Sequence, residues 1–210
     1  MQEFRTLTSV AAVLPETHID TDVIFPARFL LLPNKKGLGE QLFNERRTNR
    51  TGNGPRFVLD TSPFNKAQIL VAGKAFGTGS SREQAVWALT DFGIRCVIAP
   101  SFGEIFFANC LKNGVLAVVL DDAAHAQIMR EAQTARPLTI NLDAQEIVFS
   151  DGSSIPFEVD PHQRRTLLLG LDDIGLIVTD DMNAIIAFER RQRKTHPWHF
   201  LSDAQIALLK

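Results

Sequence analysis

The stretch Gln68-Ile69-Leu70-Val71-Ala72-Gly73-Lys74-Ala75-Phe76-Gly77-Thr78-Gly79-Ser80-Ser81-Arg82-Glu83 decides how the rest of the chain is read. Residues 68–72 form an apolar run closed by glycine, the pattern of a strand buried on both faces. Residues 84–92 carry a helical pattern. Ser80 and Glu83 have the spacing of a capping box, which predicts a helix over 81–92 with Ser80 as its N-cap. Between strand and helix lie two glycines, two hydroxyls and an arginine. Backbone N–H groups and the positive end of the helix dipole gather at such a point, so it suits an anion. Arg82 adds a planar fork that matches a carboxylate. The stretch therefore reads as a carboxylate site with a serine placed to act, and equally as a plain turn with Ser80 as a cap. It is not a dinucleotide fingerprint, because Arg82 stands where the third glycine belongs. It is not a P-loop, because Gly-Lys-Ser/Thr is absent from the chain.

Outward from this stretch, strand and helix patterns alternate. A strand is predicted over 95–99, a helix over 101–113 capped by Ser101 with Glu104 at N3, a strand over 115–120 and a helix over 121–135. Asn113-Gly114 has the form of a helix C-terminus. This alternation predicts an α/β fold around a parallel sheet. Strands follow over 138–142, 146–149 and 154–157, the last two joined by an Asp151-Gly152 turn. Helices are predicted over 162–169 and 182–191. Toward the N-terminus, residues 4–14 suit a strand. The segment Pro15 to Asp22 is rich in turn formers, and Asp20 and Asp22 readily build Asx turns. Residues 33–56 are rich in Lys, Arg, Asn and Gly and read as a long mobile surface segment with one helical turn near Leu42-Phe43. No internal repeat or linker divides the chain, so one domain is expected over 1–210.

Composition narrows the functional classes. The chain has 210 residues, 45% of them hydrophobic and 22% charged, with a formal net charge of −2. These values fit a globular domain with its own core and give no pull toward nucleic acid or an anionic membrane. The basic run Arg190-Arg191-Gln192-Arg193-Lys194 lacks aromatic interleaving and reads as a solvated helix end. No apolar run approaches the roughly 20 residues of a membrane span. Met1-Gln2-Glu3-Phe4-Arg5 has an early acid and no apolar core of a leader, so a cytoplasmic location is expected. Cys96 and Cys110, the only cysteines, both read as buried. They cannot hold an iron–sulfur cluster or an all-cysteine zinc ion within this chain. His196 and His199 form the closest histidine pair but lack a metal-binding spacing, and no metal is expected on this chain.

Several ordered motifs carry a family resemblance. They are His18-Ile19-Asp20-Thr21-Asp22-Val23-Ile24-Phe25-Pro26, then Phe76 to Glu83, Ala88-Leu89-Thr90-Asp91-Phe92-Gly93-Ile94, Val97-Ile98-Ala99-Pro100-Ser101-Phe102, and Gly170-Leu171-Asp172-Asp173-Ile174-Gly175-Leu176. Over roughly residues 3–192 the chain resembles the small subunit of 3-isopropylmalate dehydratase, which is similar to the swivelling C-terminal domain of aconitase. The resemblance implies a β/β/α fold with a mostly parallel central sheet. It also implies a partner large subunit that carries a [4Fe–4S] cluster, and a small dicarboxylic hydroxy acid as substrate. Ser80 would be the base that removes the proton next to a carboxylate. Gly79, Ser81 and Arg82 would hold substrate carboxylates. Thr21 and Asp22 match the family's Thr-Asp signature near the site. Arg28 follows shortly after and could meet a carboxylate or serve a surface ion pair. Segment 33–56 would lie over the substrate's side group, with Leu30, Leu31 and Leu32 facing an isopropyl group or the core.

Two departures bear on the substrate. Thr78 stands where the family has cysteine, and Gln84 where it has histidine. The serines and the arginine are kept. The expected reaction is the interconversion of 2-isopropylmalate and 3-isopropylmalate in leucine biosynthesis, with activity only beside the large subunit. A paralogue acting on citraconate and 2-methylmalate, or on dimethylmalate, shares the same architecture. A non-catalytic anion- or RNA-binding module is the alternative of another class, and the net charge argues against it. The tail 194–210 runs past the usual end of the family.

Overall fold

The computed structural model describes residues 1–31, 35–48 and 56–207. They form two compact units, Met1–Gly170 and Leu171–Lys210. Every candidate site residue lies in the first.

Residues 4–14 form two strands rather than one. Strand β1 (Thr6–Ser9) joins an antiparallel sheet, and β2 (Ala11–Leu14) joins a parallel one. After β2 come a short helix α1 (Thr21–Ile24) and a second short helix α2 (Asn44–Thr48). Then follow β3 (Ile69–Ala72), α3 (Glu83–Phe92), β4 (Cys96–Ala99), α4 (Glu104–Lys112), β5 (Leu116–Val119) and α5 (Asp122–Gln133). The antiparallel sheet is completed by β6 (Leu138–Asn141), β7 (Glu146–Val148) and β8 (Ser154–Pro156), and α6 (Pro161–Leu169) closes the unit. The parallel sheet has the order β2-β3-β4-β5, with Ala11 opposite Ile69, Ile69 opposite Cys96 and Cys96 opposite Leu116. The antiparallel sheet has the order β1-β6-β7-β8.

The two-residue period of the parallel strands sorts their side chains into two core layers. Ala12, Leu14, Leu70, Ala72, Val97 and Ala99 face a layer filled by α3, α4 and the segment between β2 and β3. Ala11, Ile69, Val71, Cys96, Ile98 and Val118 face the other, filled by α5, α6 and the antiparallel sheet. This is why β3 and β4 are apolar at every position, whereas β6 alternates buried Leu138 and Ile140 with more open Thr139 and Asn141. The result is a β/β/α architecture, as the resemblance implied. His125 of α5 is buried, and its Nε2 donates to the Ala72 carbonyl at 2.8 Å, tying α5 to the end of β3.

Three local expectations are corrected. Ser80 does not cap α3. The helix begins at Glu83 after Arg82, without a side-chain cap, and the Glu83 carboxylate accepts instead from Asn113 Nδ2 at 2.8 Å. Ser101 does not cap α4, which starts after Gly103, because the Ser101 hydroxyl accepts from the Ala75 N–H at 2.9 Å. The stretch 38–48 is not a surface segment: Leu38, Leu42, Phe43 and Asn44 are buried, the three apolar ones within the main core. Residues 33, 34 and 49–55 of that segment lie outside the described residues, as does Leu32. Leu31 is fully exposed and Leu30 packs against the core. The C-terminus of α4 forms as read, with Gly114 at φ 74° and the Val115 N–H bonded back to the Cys110 carbonyl.

The second unit contains α7 (Asp173–Thr195), capped by the Asp172 carboxylate on the Gly175 N–H, and α8 (Asp203–Ala207). The imidazoles of His196 and His199 stack at 5.5 Å between centroids. No helix among the described residues is long and apolar enough to cross a membrane.

Candidate active site

The site is built where β2, β3 and β4 end. In a parallel sheet the connections leaving the carboxyl ends of the strands gather at one edge, and helix N-termini point toward it. Here the three connections are laced together by backbone hydrogen bonds that continue past the strands. His18 N–H donates to the Lys74 carbonyl (2.8 Å), Gly77 N–H to Ile19 (2.7 Å) and Thr21 N–H to Thr78 (2.9 Å). On the other side, Phe76 N–H donates to the Ser101 carbonyl (3.1 Å) and Gly103 N–H to Phe76 (2.9 Å). The serine loop is thus held from both flanks before any side chain is considered.

Gly77 makes this lacing possible. Its φ is +73°, and a Cβ there would lie 2.2 Å from Cγ of the buried Phe106 ring. That ring meets Phe76 edge-on at 5.4 Å and stacks on Phe102 at 6.4 Å, so it has no room to retreat.

The catalytic and binding candidates fall into two groups. Ser80 and Ser81 are exposed, and Gly79 (φ +96°) turns the chain just before them. The Ser80 carbonyl accepts from the Thr21 hydroxyl (3.0 Å) and from the Arg82 N–H (2.8 Å). This tight turn explains why the helix starts only at Glu83. Thr21 is buried and reaches the site through the Ser80 backbone. Asp20 caps α1 by accepting from the Val23 N–H at 2.8 Å, which sets the direction of Asp22. The Asp22 carboxylate pairs with the Arg82 guanidinium, whose side chain is only 14% exposed.

The second group surrounds Arg28. Its Nη2 donates to Asn44 Oδ1 at 2.6 Å, and its Nη1 pairs with Glu45. Asp20, Asp22, Val23, Pro26, Ala27, Arg28 and Glu45 line a shallow depression of about 370 Å³. The structure therefore brings Asp22, Arg28 and, through its ion pair, Arg82 to one place. Sequence reasoning missed Asn44 and Glu45, which it assigned to a surface segment. The pair Leu42-Phe43 was the available signal, since two adjacent large apolar residues in a polar stretch anchor it inward.

The Arg82 hydrogen bond, reinforced by its charge, holds the Asp22 carboxyl below the ordinary 3.8, against a smaller opposing effect of burial. A lowered folded-state pKa gives stability that is full above about pH 4 and is lost as pH falls through the lowered value. Thermal unfolding from pH 7 to pH 3 should therefore show wild type and Asp22→Asn converging at the acid end. A constant gap across that range would exclude this pair as a source of acid sensitivity.

Cys96 and Cys110 lie in opposite core layers, and burial pushes both thiols far above the ordinary range. They do not fit a cluster site. Among the described residues, no three His, Cys, Asp or Glu side chains are placed to hold an ion.

Comparison with known proteins agrees with this architecture. The aconitase C-terminal domain model matches residues 1–123, and a second model, LeuD_N, matches residues 126–161. The 3-isopropylmalate dehydratase small subunit of Rhodospirillum centenum is 49% identical over 201 residues, covering 94% of this chain and 98% of its own. That of Roseobacter denitrificans is 46% identical over 202 residues, covering 94% and 100%. Among solved structures, 3-isopropylmalate dehydratase from Methanocaldococcus jannaschii superposes with a TM-score of 0.65 at 25% identity, covering 88% of this chain and 99% of that one. With near-complete coverage at this identity and a matching β/β/α core, the chain belongs to the 3-isopropylmalate dehydratase small-subunit family.

Proposed function

We propose that this chain is the small subunit of a hydro-lyase that interconverts 2-isopropylmalate and 3-isopropylmalate by dehydration and rehydration, working in the cytoplasm with a large-subunit partner. The observation that carries this reading is the exposed Ser80-Ser81 pair on a loop laced into the edge of the parallel sheet, followed directly by Arg82, whose N–H donates to the Ser80 carbonyl. In the family the large subunit carries a [4Fe–4S] cluster, which supplies Lewis-acid iron to the joint site.

The residues of this chain supply the proton chemistry and the positioning. Ser80 Oγ takes the proton from the carbon next to a substrate carboxylate in the dehydration direction and returns one in the hydration direction. A serine hydroxyl is a weak base in water. It needs fixed donors and positive charge to carry a developing alkoxide, and in this reading the start of α3 and Arg82 are their source once substrate orders the site. Ser81, Arg82 and the Gly79 backbone hold one carboxylate of the diacid. Arg28 faces the depression that would take the other. Asp22 keeps the Arg82 fork oriented until substrate arrives, and Thr21 fixes the Ser80 backbone.

Reconstitution tests the reading. The chain alone is expected to give no turnover. Mixed anaerobically with a cluster-bearing large subunit, it should hydrate isopropylmaleate faster than citraconate, read from the loss of absorbance of the unsaturated diacid. Preference for citraconate would transfer the assignment to a smaller-pocket paralogue and direct attention to Thr78 and Gln84. Absence of turnover with any such diacid, together with salt-dependent RNA binding, would favour a non-catalytic module.

A further inference from the structure

We propose that Asp91 is a positioning residue for the diacid pocket, holding Arg28 in place through the backbone of residues 37–45. Asp91 lies in the last turn of α3, far in sequence from Arg28 and outside the depression that Arg28 lines. A carboxylate in that turn faces the negative end of the helix dipole, and no basic residue in the turn offsets it. Local preference therefore does not account for it. Its Oδ2 accepts two backbone hydrogen bonds from across the fold, from Gly37 N–H at 2.9 Å and Gly39 N–H at 2.8 Å.

The same junction is closed sterically. A Cβ on Gly39 would lie 2.6 Å from the Phe92 backbone nitrogen, so residue 39 is pressed against the helix where only glycine fits. From there the chain makes a 3-10 turn, Leu38–Gln41, and enters the core at Phe43, whose N–H donates to the Ile24 carbonyl at 2.8 Å. Arg47 staples the turn, reaching the carbonyls of Gly39 and Leu42 (both 3.3 Å) while its Nε donates to Asp60 at 2.9 Å. Directly after Phe43 come Asn44 and Glu45, which hold the guanidinium of Arg28. Asn44 is itself oriented by donating to Gln41 Oε1 at 2.8 Å. One hydrogen-bonded segment thus has Asp91 at one end and Arg28 at the other. Loss of the Asp91 acceptor leaves the Gly37 and Gly39 N–H groups without their partner, and the resulting shift of the 38–41 turn passes through Gln41 and Asn44 to Arg28.

This inference rests on the reading of Arg28 as a substrate-carboxylate group, and the test separates the two. Steady-state kinetics of the reconstituted two-subunit enzyme with 3-isopropylmalate are measured for Asp91→Ala, Asp91→Asn, Arg28→Ala and Asp91→Ala/Arg28→Ala. Asp91→Ala is expected to raise KM by about tenfold with kcat nearly unchanged, the pattern of lost uniform binding. Asp91→Asn keeps an acceptor oxygen toward both N–H groups and should restore KM to within about threefold of wild type. Because the two sites act through one segment, the double variant should have the KM of Arg28→Ala alone. If Arg28→Ala raises KM and Asp91→Ala does not, or if the two effects multiply, the positioning role is wrong and Arg28 stands. If Arg28→Ala leaves KM unchanged, the reading of Arg28 falls and this proposal with it. Should Asp91→Ala fail to fold, Asp91→Ser takes its place, and a wild-type KM in that variant overturns the proposal.

Discussion

Replacing Ser80 by alanine is expected to lower kcat of the reconstituted enzyme by about 10²–10⁴-fold, the range for loss of a positioned proton-transfer group. On the transition-state scale this is about 3–5 kcal/mol. The substitution isolates chemistry from folding because of how the loop is held. The structural work of residue 80 is done by its carbonyl, which accepts from the Thr21 hydroxyl and the Arg82 N–H. Alanine keeps that carbonyl, and the exposed Oγ leaves no buried partner behind. Tm and KM should therefore stay close to wild type while kcat collapses. Thr21→Val is the complementary variant: it keeps the Ser80 hydroxyl but removes the bond that places it, so kcat should fall without loss of the base. An alanine variant that retained kcat within a few-fold would remove Ser80 from the role of base and shift attention to Ser81.

The second large effect is on stability. Gly77→Ala should destabilise the chain by about 3 kcal/mol or more, combining a left-handed backbone with an overpacked core contact. For a chain of this size, that corresponds to a fall in Tm of about 10 °C. Its Cβ would lie within 2.2–2.7 Å of three atoms of the Phe106 ring, which is 3% exposed. Relief requires moving either the ring, locked between Phe76 and Phe102, or the loop, locked by the Gly77–Ile19 hydrogen bond. Gly152→Ala is the control for backbone strain alone. It has φ +86° with nothing within 4 Å of the added carbon, so it should cost only about 1 kcal/mol. Thermal or urea unfolding of the two variants checks the difference. Equal, small effects would mean that the packing at Gly77 is looser than the distances require.

Some of this protein was decided by its sequence alone. The apolar runs at 69–72 and 96–99, too short for helices and spaced by helical stretches, read as strands buried on both faces, and they are; 116–119 reads the same way but ends on the exposed Val119. A two-residue period in such strands requires a core layer on each side. The glycine–hydroxyl–arginine loop had to fall between a strand and a helix, hence at the carboxyl edge of the sheet. Asn113-Gly114 ended α4 as written, because a C-terminal turn depends on neighbouring residues alone. Tertiary structure decided the rest, wherever a polar group had two possible partners. Ser80 and Ser101 both had capping spacing, yet neither caps. The Ser80 carbonyl, held by the distant Thr21 hydroxyl and the Arg82 N–H, fixes a turn that delays α3 to Glu83, and the Ala75 N–H takes the Ser101 hydroxyl. Glu83 is drawn to Asn113 in the same way. Asn44 and Glu45 meet Arg28, and Asp91 meets Gly37 and Gly39, only because the core closes around Leu38, Leu42 and Phe43. A local pattern records the hydrogen bonds a residue can make with its neighbours. Which of them survives depends on competing partners tens of residues away, and those become available only when the layers pack.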